Sequence, residues 1–504
     1  MTMSGASTNN LPPPSDNSSR HILSAESELR IEIPIGISST VTLRHGSAEI
    51  FGAELPLERP LNLTGAKVAI FTWHGCTVDV SNKEKLDILY VSEETEANLA
   101  YVNTHAQLEA MRDEALSSSL PTTSGGGGGG DGLDSNNNTA NSKTAQGPRI
   151  LLAGPTDCGK SSLARVLTAY AVKLGRSPLL VDLDSSQNML SVPGTLAAIP
   201  VSSDIISADC YCTSSVLSGV SHGAMMPLVL WYGSQDITSH PDLYKAQLQK
   251  LGSAIDERLS GEAEASASGV IVNASGCIED VGYEYLLHAI DAFQINVVLV
   301  LGHDRLYSML GTHFRAEAEK NQAREAPKLI KLPRSGGVVS RDASFRRASR
   351  SQCIKRYFYG NSISPKPAAD GSVLAVTPHY QFSPCLIEVP FDDVQIHKLS
   401  NISLSASLLP ISAKQSTDPI QLTTIASSEI TPKFQHSVLA VCHPSSAEKY
   451  ERSGSARDLY LAGVAGFVVV EKVDVDKGLL SLLSPCAGSL PSRNLLVGDI
   501  FWME

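Results

Sequence analysis

The nine residues Gly154-Pro155-Thr156-Asp157-Cys158-Gly159-Lys160-Ser161-Ser162 are where residue types and spacing in this chain point most directly to chemistry. They fit G-x-x-x-x-G-K-[ST] and stand between an apolar run, Ile150-Leu151-Leu152-Ala153, and an amphipathic stretch, as a phosphate-binding loop requires. Glycines let the backbone curl until successive N–H groups point at one anion. A helix starting near Lys160 adds the positive end of its dipole. Lys160 can then reach β- and γ-phosphates, and the Ser161 hydroxyl can ligate magnesium. The expectation is an ATP site, with Mg2+, on the loop from Gly154 to Ser162.

A magnesium site also needs a carboxylate at the end of a nearby strand. Asp182 and Asp184 lie on Leu179-Leu180-Val181-Asp182-Leu183-Asp184, read as one strand, so they are expected to face the same side. Asp184 falls at its C-terminal end, where such sheets bind ligands. There it can orient magnesium or take a proton from an attacking hydroxyl; the alternative is a helix N-cap without chemistry. Further on, Arg341, Arg346, Arg347 and Arg350 cluster beside Arg334, Lys355 and Arg356, with only Asp342 against them and a hinge at Gly336-Gly337. A mobile arginine-bearing lid would steady phosphate charge or hold an RNA backbone. A solvated basic helix and a nuclear import signal are the other readings.

The elements that must carry these groups read as three parts. Residues 1–24, rich in Ser, Asn and Pro, are expected to be disordered. From 25 to 116, short alternating runs (Leu29-Ile31-Ile33, Val41-Leu43, Val68-Ile70) with glycine punctuation predict a β-rich domain, followed by a polar helix over Thr104 to Leu116. Residues 117–147, with glycines from Gly125 to Gly130 and an Asn run at 136–138, form a flexible low-complexity insertion. From 148 to 360, strands at 150–153, 179–184, 270–272 and 297–301 alternate with helical stretches. That predicts an α/β fold: a doubly wound, mostly parallel P-loop NTPase sheet, with the basic lid at its end. The first helix should bury Leu163, Val166, Leu167, Tyr170, Ala171 and Leu174. Residues 361–504 read as a second β-rich domain, with strands within 373–388, 396–409 and 460–503.

Bulk composition excludes several classes. A length of 504 residues implies roughly two to four domains. The net charge of −12 argues against coating nucleic acid over the whole surface, while leaving room for a local basic site. Nine cysteines, an odd number and scattered, give no disulfide framework and favour a reducing compartment. Cys210 and Cys212 lack the partners of a zinc site. The N-terminus has no apolar signal region, and no run of about 18 apolar residues predicts a membrane span.

Beyond the loop, an ordered series of motifs resembles the eukaryotic polynucleotide 5′-hydroxyl-kinase family, whose members are also subunits of the pre-mRNA 3′-end cleavage factor. It runs through Glu28-Leu29-Arg30, Ala48-Glu49-Ile50-Phe51-Gly52, Phe71-Thr72-Trp73-His74-Gly75-Cys76 and Tyr101-Val102-Asn103-Thr104-His105. It continues with the phosphate loop, Ser335-Gly336-Gly337-Val338-Val339, Tyr357-Phe358-Tyr359-Gly360 and Val464-Ala465-Gly466-Phe467-Val468-Val469. The resemblance implies N-terminal and C-terminal β-rich domains around a central P-loop domain. It implies that Glu28 and Lys67 reach over to the nucleotide while Asp157, Cys158, Gly159, Lys160, Ser161 and Ser162 hold its phosphates. It also implies a partner, the large cleavage-factor scaffold that reads the RNA polymerase II tail, with other cleavage and polyadenylation subunits and a nuclear location. RNA is a further candidate partner.

Two departures bear on activity. Kinase-active relatives carry D-x-G-Q, where this chain has Asp184-Ser185-Ser186-Gln187, and T-x-G-W, where it has Ala274-Ser275-Gly276-Cys277. The Trp offers a stacking face for the terminal base, worth roughly 1–3 kcal/mol per base. Similar erosion marks fungal members of the family. The first reading is an ATP-bound assembly subunit required for cleavage in mRNA 3′-end formation, its ATP structural and its kinase activity lost. The second is an active kinase phosphorylating RNA 5′-hydroxyl ends, with Lys160 and Arg346 or Arg347 stabilising the transferred group and Asp184 activating the hydroxyl. A third, an unrelated P-loop ATPase driving motion, fits the end-to-end resemblance least.

Overall fold

The computed structural model describes residues 18–82, 86–119, 146–202, 227–320, 325–360, 362–363, 379–400 and 419–503. The N-terminal part contains β1 (Ser18–Leu23), β2 (Ser27–Glu32), β3 (Ser38–Gly46), β4 (Glu49–Ile50), β5 (Ala53–Glu54), β6 (Pro60–Thr64), β7 (Lys67–Thr72), β8 (Cys76–Asn82) and β9 (Ile88–Ser92). They form two sheets, β1-β8-β3-β6 and β5-β4-β7-β2-β9. The period-two apolar positions Leu29, Ile31, Val41, Leu43, Val78 and Val80 meet in one core. Strand β1 lies inside the span expected to be disordered. It pairs antiparallel with β8, and Arg20 holds Asp79 with two hydrogen bonds of 2.7 and 2.9 Å. That ladder and ion pair are long-range interactions, which local composition does not encode.

Helix α1 (Glu96–Ser119) is longer than expected, and it packs away from the strands that precede it. Ala97, Tyr101 and Leu108 join the core of the central domain. Arg112, fully buried, pairs with Glu109 and donates its Nε to the Ser268 carbonyl at 3.0 Å. The insertion expected at 117–147 falls largely outside the described residues, as do Cys210 and Cys212.

The central part runs β10 (Arg149–Ala153), α2 (Lys160–Lys173), β11 (Leu179–Asp182), β12 (Thr195–Pro200), β13 (Leu228–Trp231), α3 (Pro241–Ser260) and α4 (Ala263–Ser268). It continues with β14 (Val270–Asn273), α5 (Val281–Ala292), β15 (Val297–Leu301), α6 (Asp304–Lys320), β16 (Lys328–Leu332) and α7 (Ala343–Tyr359). The sheet order is β13-β12-β11-β14-β10-β15-β16. From β11 to β16 neighbouring strands are parallel, and β12 and β13 add an antiparallel edge. The parallel strands β10, β11, β14 and β15 are buried along their whole length, which explains their nearly continuous apolar runs. The sheet is therefore mixed. The two extra strands were present in the sequence as Leu196-Ala197-Ala198-Ile199 and Leu228-Val229-Leu230-Trp231, runs too short to separate from buried helix. On α2, Leu163, Leu167, Tyr170 and Ala171 are buried as expected, whereas Leu174 caps the helix and is 60 % exposed.

In the C-terminal part, β17 (Ser362–Ile363) and β18 (His379–Tyr380) pair with each other. The remaining strands are β19 (Cys385–Pro390), β20 (Gln395–Leu399), β21 (Leu422–Ile425), β22 (Ser437–Cys442), β23 (Val464–Asp474), β24 (Leu479–Ser484) and β25 (Asn494–Phe501). They form one sheet, β19-β24-β23-β22-β25-β20-β21, with α8 (Pro444–Ser453) and α9 (Arg457–Tyr460) between β22 and β23. The strand residues expected at 373–378 and 401–409 lie outside the described residues. Cross-domain bonds fix this sheet to the central domain. Gln247 Nε2 donates to the carbonyls of Trp231 and Tyr460 at 2.8 and 2.9 Å, and Asp499 N–H donates to Gly233 O at 2.7 Å. Gly498 permits that approach, because a Cβ there would overlap the Gly233 carbonyl. No helix among the described residues is long and apolar enough to cross a membrane.

His397 is fully buried between Thr424 Oγ1 at 2.9 Å and Asn494 Oδ1 at 2.8 Å. Burial lowers its pKa despite the Asn494 bond, so the folded domain holds it neutral. The unfolded chain binds the proton more readily, so stability present above pH 6.5 is lost as pH falls below it. The slope contributed is at most about 1.4 kcal/mol per pH unit. Melting followed from pH 7.5 to 5 should show this loss, and His397→Gln should make it shallower. Part of the slope will remain, because burial also holds His105 and His240 neutral.

Candidate functional site

The phosphate loop joins β10 to α2 at the carboxyl end of the sheet, where β10 lies between β14 and β15. Gly154 and Gly159 take φ of +155° and +98°. A Cβ at Gly154 would lie 2.8 Å from Cys158 Sγ, and one at Gly159 would lie 2.9 Å from Val338 Cγ2. Both glycines are thus required by close approach as well as by backbone angle. Asp157 is left-handed too, at φ +55°, a strain of roughly 1–3 kcal/mol for a non-glycine residue. Its carboxylate Oδ2 offsets that strain by accepting the Arg341 N–H at 2.9 Å and Arg346 Nη2 at 2.7 Å. Burial alone would raise the Asp157 pKa, but these two donors hold it below the usual carboxylate range.

Lys160 opens α2 and is only 7 % exposed. Its Nζ donates to the carbonyls of Gly154 and Pro155, both at 2.8 Å. Burial lowers its pKa, and Cys158, Asp184, Asp157 and Asp182 counteract that. Lys160, Ser161 and Ser162 line a cleft of about 800 Å³ together with Asp157, Cys158 and Gly159. The residues fit a polyphosphate: curled backbone, a helix start and a desolvated cation converge on it. A buried donor, Arg346 Nε, is also left without a partner among the described residues.

The two aspartates part company. Strand β11 ends at Asp182, whose carboxylate accepts the N–H groups of Asp184 at 3.1 Å and Met189 at 2.7 Å and so pulls the chain into a turn. The shared strand face expected for the pair is therefore not formed. Asp182 is wholly buried, and burial with the nearby Asp184 charge pushes its pKa up to about 7. Asp184 lines the cleft. Its Oδ1 accepts Ser186 N–H at 3.0 Å, Ser186 Oγ–H at 2.7 Å and Gln187 N–H at 3.4 Å. Sequence reasoning missed Asn273, whose Nδ2 bridges Asp182 and Ser161; its position at the end of a buried strand was the available signal.

Two domains roof the cleft. From the N-terminal sheets come Glu28, buried and bonded to Arg30 Nε at 2.6 Å, and Lys67, paired with Glu32 at 2.7 Å and 5.2 Å from the Phe345 ring centre. The Ser335-Gly336-Gly337 turn lies against them. A Cβ at Gly336 would come 2.9 Å from Arg30 Nη2, and one at Gly337 would come 3.4 Å from Glu28 Oε1. The glycine pair thus serves close packing, and neither glycine takes a positive φ. From the other side, α7 places Arg346 and Arg350 on the cleft wall, and the segment leading into it adds Arg341. Arg347, taken with Arg346 as a catalytic candidate, is exposed and does not line it. The helix is also no free lid. Ile354, Tyr357 and Phe358 are buried, Tyr357 Oη accepts the Phe467 N–H at 2.9 Å, and Trp502 Nε1 donates to Ser351 O at 3.1 Å.

Asp157→Ala should release the first turn of α7 from the phosphate loop. Amide exchange across residues 341–346 is expected to rise by at least tenfold, matching the roughly 1.5–3 kcal/mol of a charge-assisted bond, while exchange at 354–358 stays slow.

Comparison with known proteins agrees with this arrangement. Residues 154–360 match the family described as mRNA cleavage and polyadenylation factor CLP1 P-loop. Residues 22–115 match the N-terminal beta-sandwich domain of polyadenylation factor, and residues 382–504 match Pre-mRNA cleavage complex II protein Clp1. The chain is 33 % identical to the Protein CLP1 homolog of Dictyostelium discoideum, across 95 % of this chain and 88 % of that one. It is 34 % identical to the Polyribonucleotide 5'-hydroxyl-kinase Clp1 of Homo sapiens, across 96 % of each. A solved complex of wild-type Clp1p with a Pcf11p segment superposes with a TM-score of 0.72 at 23 % identity, covering 98 % of this chain and all of that one. With its nucleotide-binding P-loop domain set between two β-rich domains, this chain belongs to the Clp1 family of pre-mRNA cleavage and polyadenylation factors.

Proposed function

We propose that this protein is a nuclear assembly subunit of the pre-mRNA 3′-end cleavage machinery that holds ATP as part of its structure and no longer transfers its phosphate. The observation that carries the proposal is the enclosure of one polyphosphate site between two domains: Glu28 and Lys67 above, the loop from Asp157 to Ser162 below, and at the side α7 of the central domain, whose far end is anchored to the C-terminal sheet. A ligand held there stabilises the closed arrangement by mass action, by about 2.7 kcal/mol at a hundred times Kd. Magnesium, carried with the nucleotide, would be held by Ser161 and the cleft-lining Asp184, and would neutralise phosphate charge.

The acceptor half supports loss of transfer. Ser186 adds a hydroxyl to the two backbone N–H groups that Asp184 Oδ1 accepts, a side-chain donor that the glycine of D-x-G-Q cannot supply and that lowers the basicity of that oxygen. Cys277 lines the cleft without an aromatic face, and the rings among the described lining residues, Phe51, Phe71, Tyr101, Tyr170 and Phe345, come from the roof and the nearby helices. The relatives solved as Clp1p–Pcf11p complexes support a partner of the Pcf11 kind, the large scaffold subunit. The second reading is an active polynucleotide 5′-hydroxyl-kinase. It is favoured by the presence of Lys160, Arg346 and Asp184 in one cleft, and by the 5'-hydroxyl-kinase naming of vertebrate relatives.

Terminally labelled ATP incubated with a short 5′-hydroxyl RNA and the purified protein should give no labelled RNA. Labelled RNA that vanishes in Lys160→Ala would establish the kinase reading instead. ATP should raise the melting temperature of the wild-type protein by several degrees and leave Lys160→Ala nearly unchanged, as linkage requires. An equal rise in both proteins would remove the loop from the account.

A further inference from the structure

Asn273 closes β14 directly opposite Asp182 in the parallel register with β11. It is 1 % exposed, and its Nδ2 donates at once to Asp182 Oδ1 at 2.9 Å and Ser161 Oγ at 3.2 Å. Both Asp182 oxygens already accept backbone N–H groups, so the amide meets that carboxylate as a donor. The same NH2 group then presents its second hydrogen to Ser161. Asn273 Oδ1 is buried and without a partner among the described residues. Ser161 lines the cleft, whereas neither Asn273 nor Asp182 is part of its wall.

A serine hydroxyl rotates freely unless something fixes it, and a divalent cation requires a lone pair, not a proton, turned toward it. A hydrogen bond received from beneath occupies one lone pair of Ser161 Oγ and leaves the other for the cleft. We infer that Asn273 is a positioning residue for the divalent cation: it sets the Ser161 hydroxyl in the ligating orientation and ties it through Asp182 to the end of β11. The inference rests on the reading that the nucleotide is bound with a divalent cation at Ser161. Asp182 thereby acts at two removes from the cleft, holding the amide that holds the hydroxyl.

The test is a double-mutant cycle on the full chain. Mn2+ is titrated into the protein–nucleotide complex and free Mn2+ is read by electron paramagnetic resonance, while a fluorescent ATP analogue reports nucleotide affinity without divalent metal. Asn273→Ala should leave metal-free nucleotide affinity unchanged and weaken Mn2+ binding by about 10-fold or more, as loss of a ligand-orienting partner does. Ser161→Ala should weaken it similarly, and adding Asn273→Ala to Ser161→Ala should change nothing further. Unchanged Mn2+ affinity in Asn273→Ala, or a full second loss in the double variant, would overturn the inference while leaving the metal reading intact. Wild-type protein whose nucleotide is indifferent to Mn2+ and Mg2+ would overturn the metal reading and this inference with it. Should Asn273→Ala not fold, Asn273→Ser keeps a short donor that cannot span both acceptors and gives the same readout.

Discussion

The Asp157 carboxylate is the contact that ties the phosphate loop to α7 and the segment before it. A left-handed non-glycine residue in the middle of a phosphate loop is costly, and two donors, one just before α7 and one in its first turn, keep it there. Because α7 ends in aromatic residues packed against β23 and Trp502, the loop is coupled through one helix to the C-terminal sheet. The helix therefore works as a strut. Its first turns line the cleft, and its last turn is ordinary hydrophobic core.

The N-terminal sandwich is joined to the central domain by a comparable arrangement. Glu49 is buried against α2, where the Tyr170 hydroxyl donates to it and Lys173 pairs with it at 3.5 Å. Burial raises the Glu49 pKa, while Tyr170 and Lys173 oppose that shift. Gly52 allows the sandwich to approach within contact of Val166 and Ala169 on the same helix. The P-loop helix thus has one face in the sheet core and another against the roof, so movement of the roof and movement of the loop are mechanically linked. The helix that opens on the phosphate loop is thus also the one that holds the sandwich in place.

Local signals made much of this legible in the sequence. The phosphate loop is encoded within nine consecutive residues, and the strands at Arg149–Ala153 and Val297–Leu301 are unbroken apolar runs, so periodicity and motif found them. What escaped was long-range. Strand β1 depends on pairing with a strand more than fifty residues away, and its composition resembles a disordered tail. Asp182 and Asp184 looked equivalent by spacing, and only the turn made by the Asp182 carboxylate separates a buried group from a cleft-lining one. Arg347 and Arg346 are adjacent and chemically identical, so nothing short of the helix's docking could choose between them. The arginines and the Gly336-Gly337 pair read as a mobile lid, because the packing of Tyr357 and Phe358 that anchors α7 is made with residues more than a hundred positions away.

The buried Arg112 guanidinium has a consequence for how the chain is made. Helix α1 is synthesised directly after the N-terminal sandwich, yet the carbonyl that receives Arg112 Nε belongs to Ser268, 156 residues further on. A ribosome adding about 5–20 residues per second delivers that acceptor roughly 8–30 s later. Until then the Arg112 guanidinium lacks the carbonyl that receives it in the folded domain. The sandwich can close early while its trailing helix waits, so the order of assembly runs against the order of the sequence at this one joint.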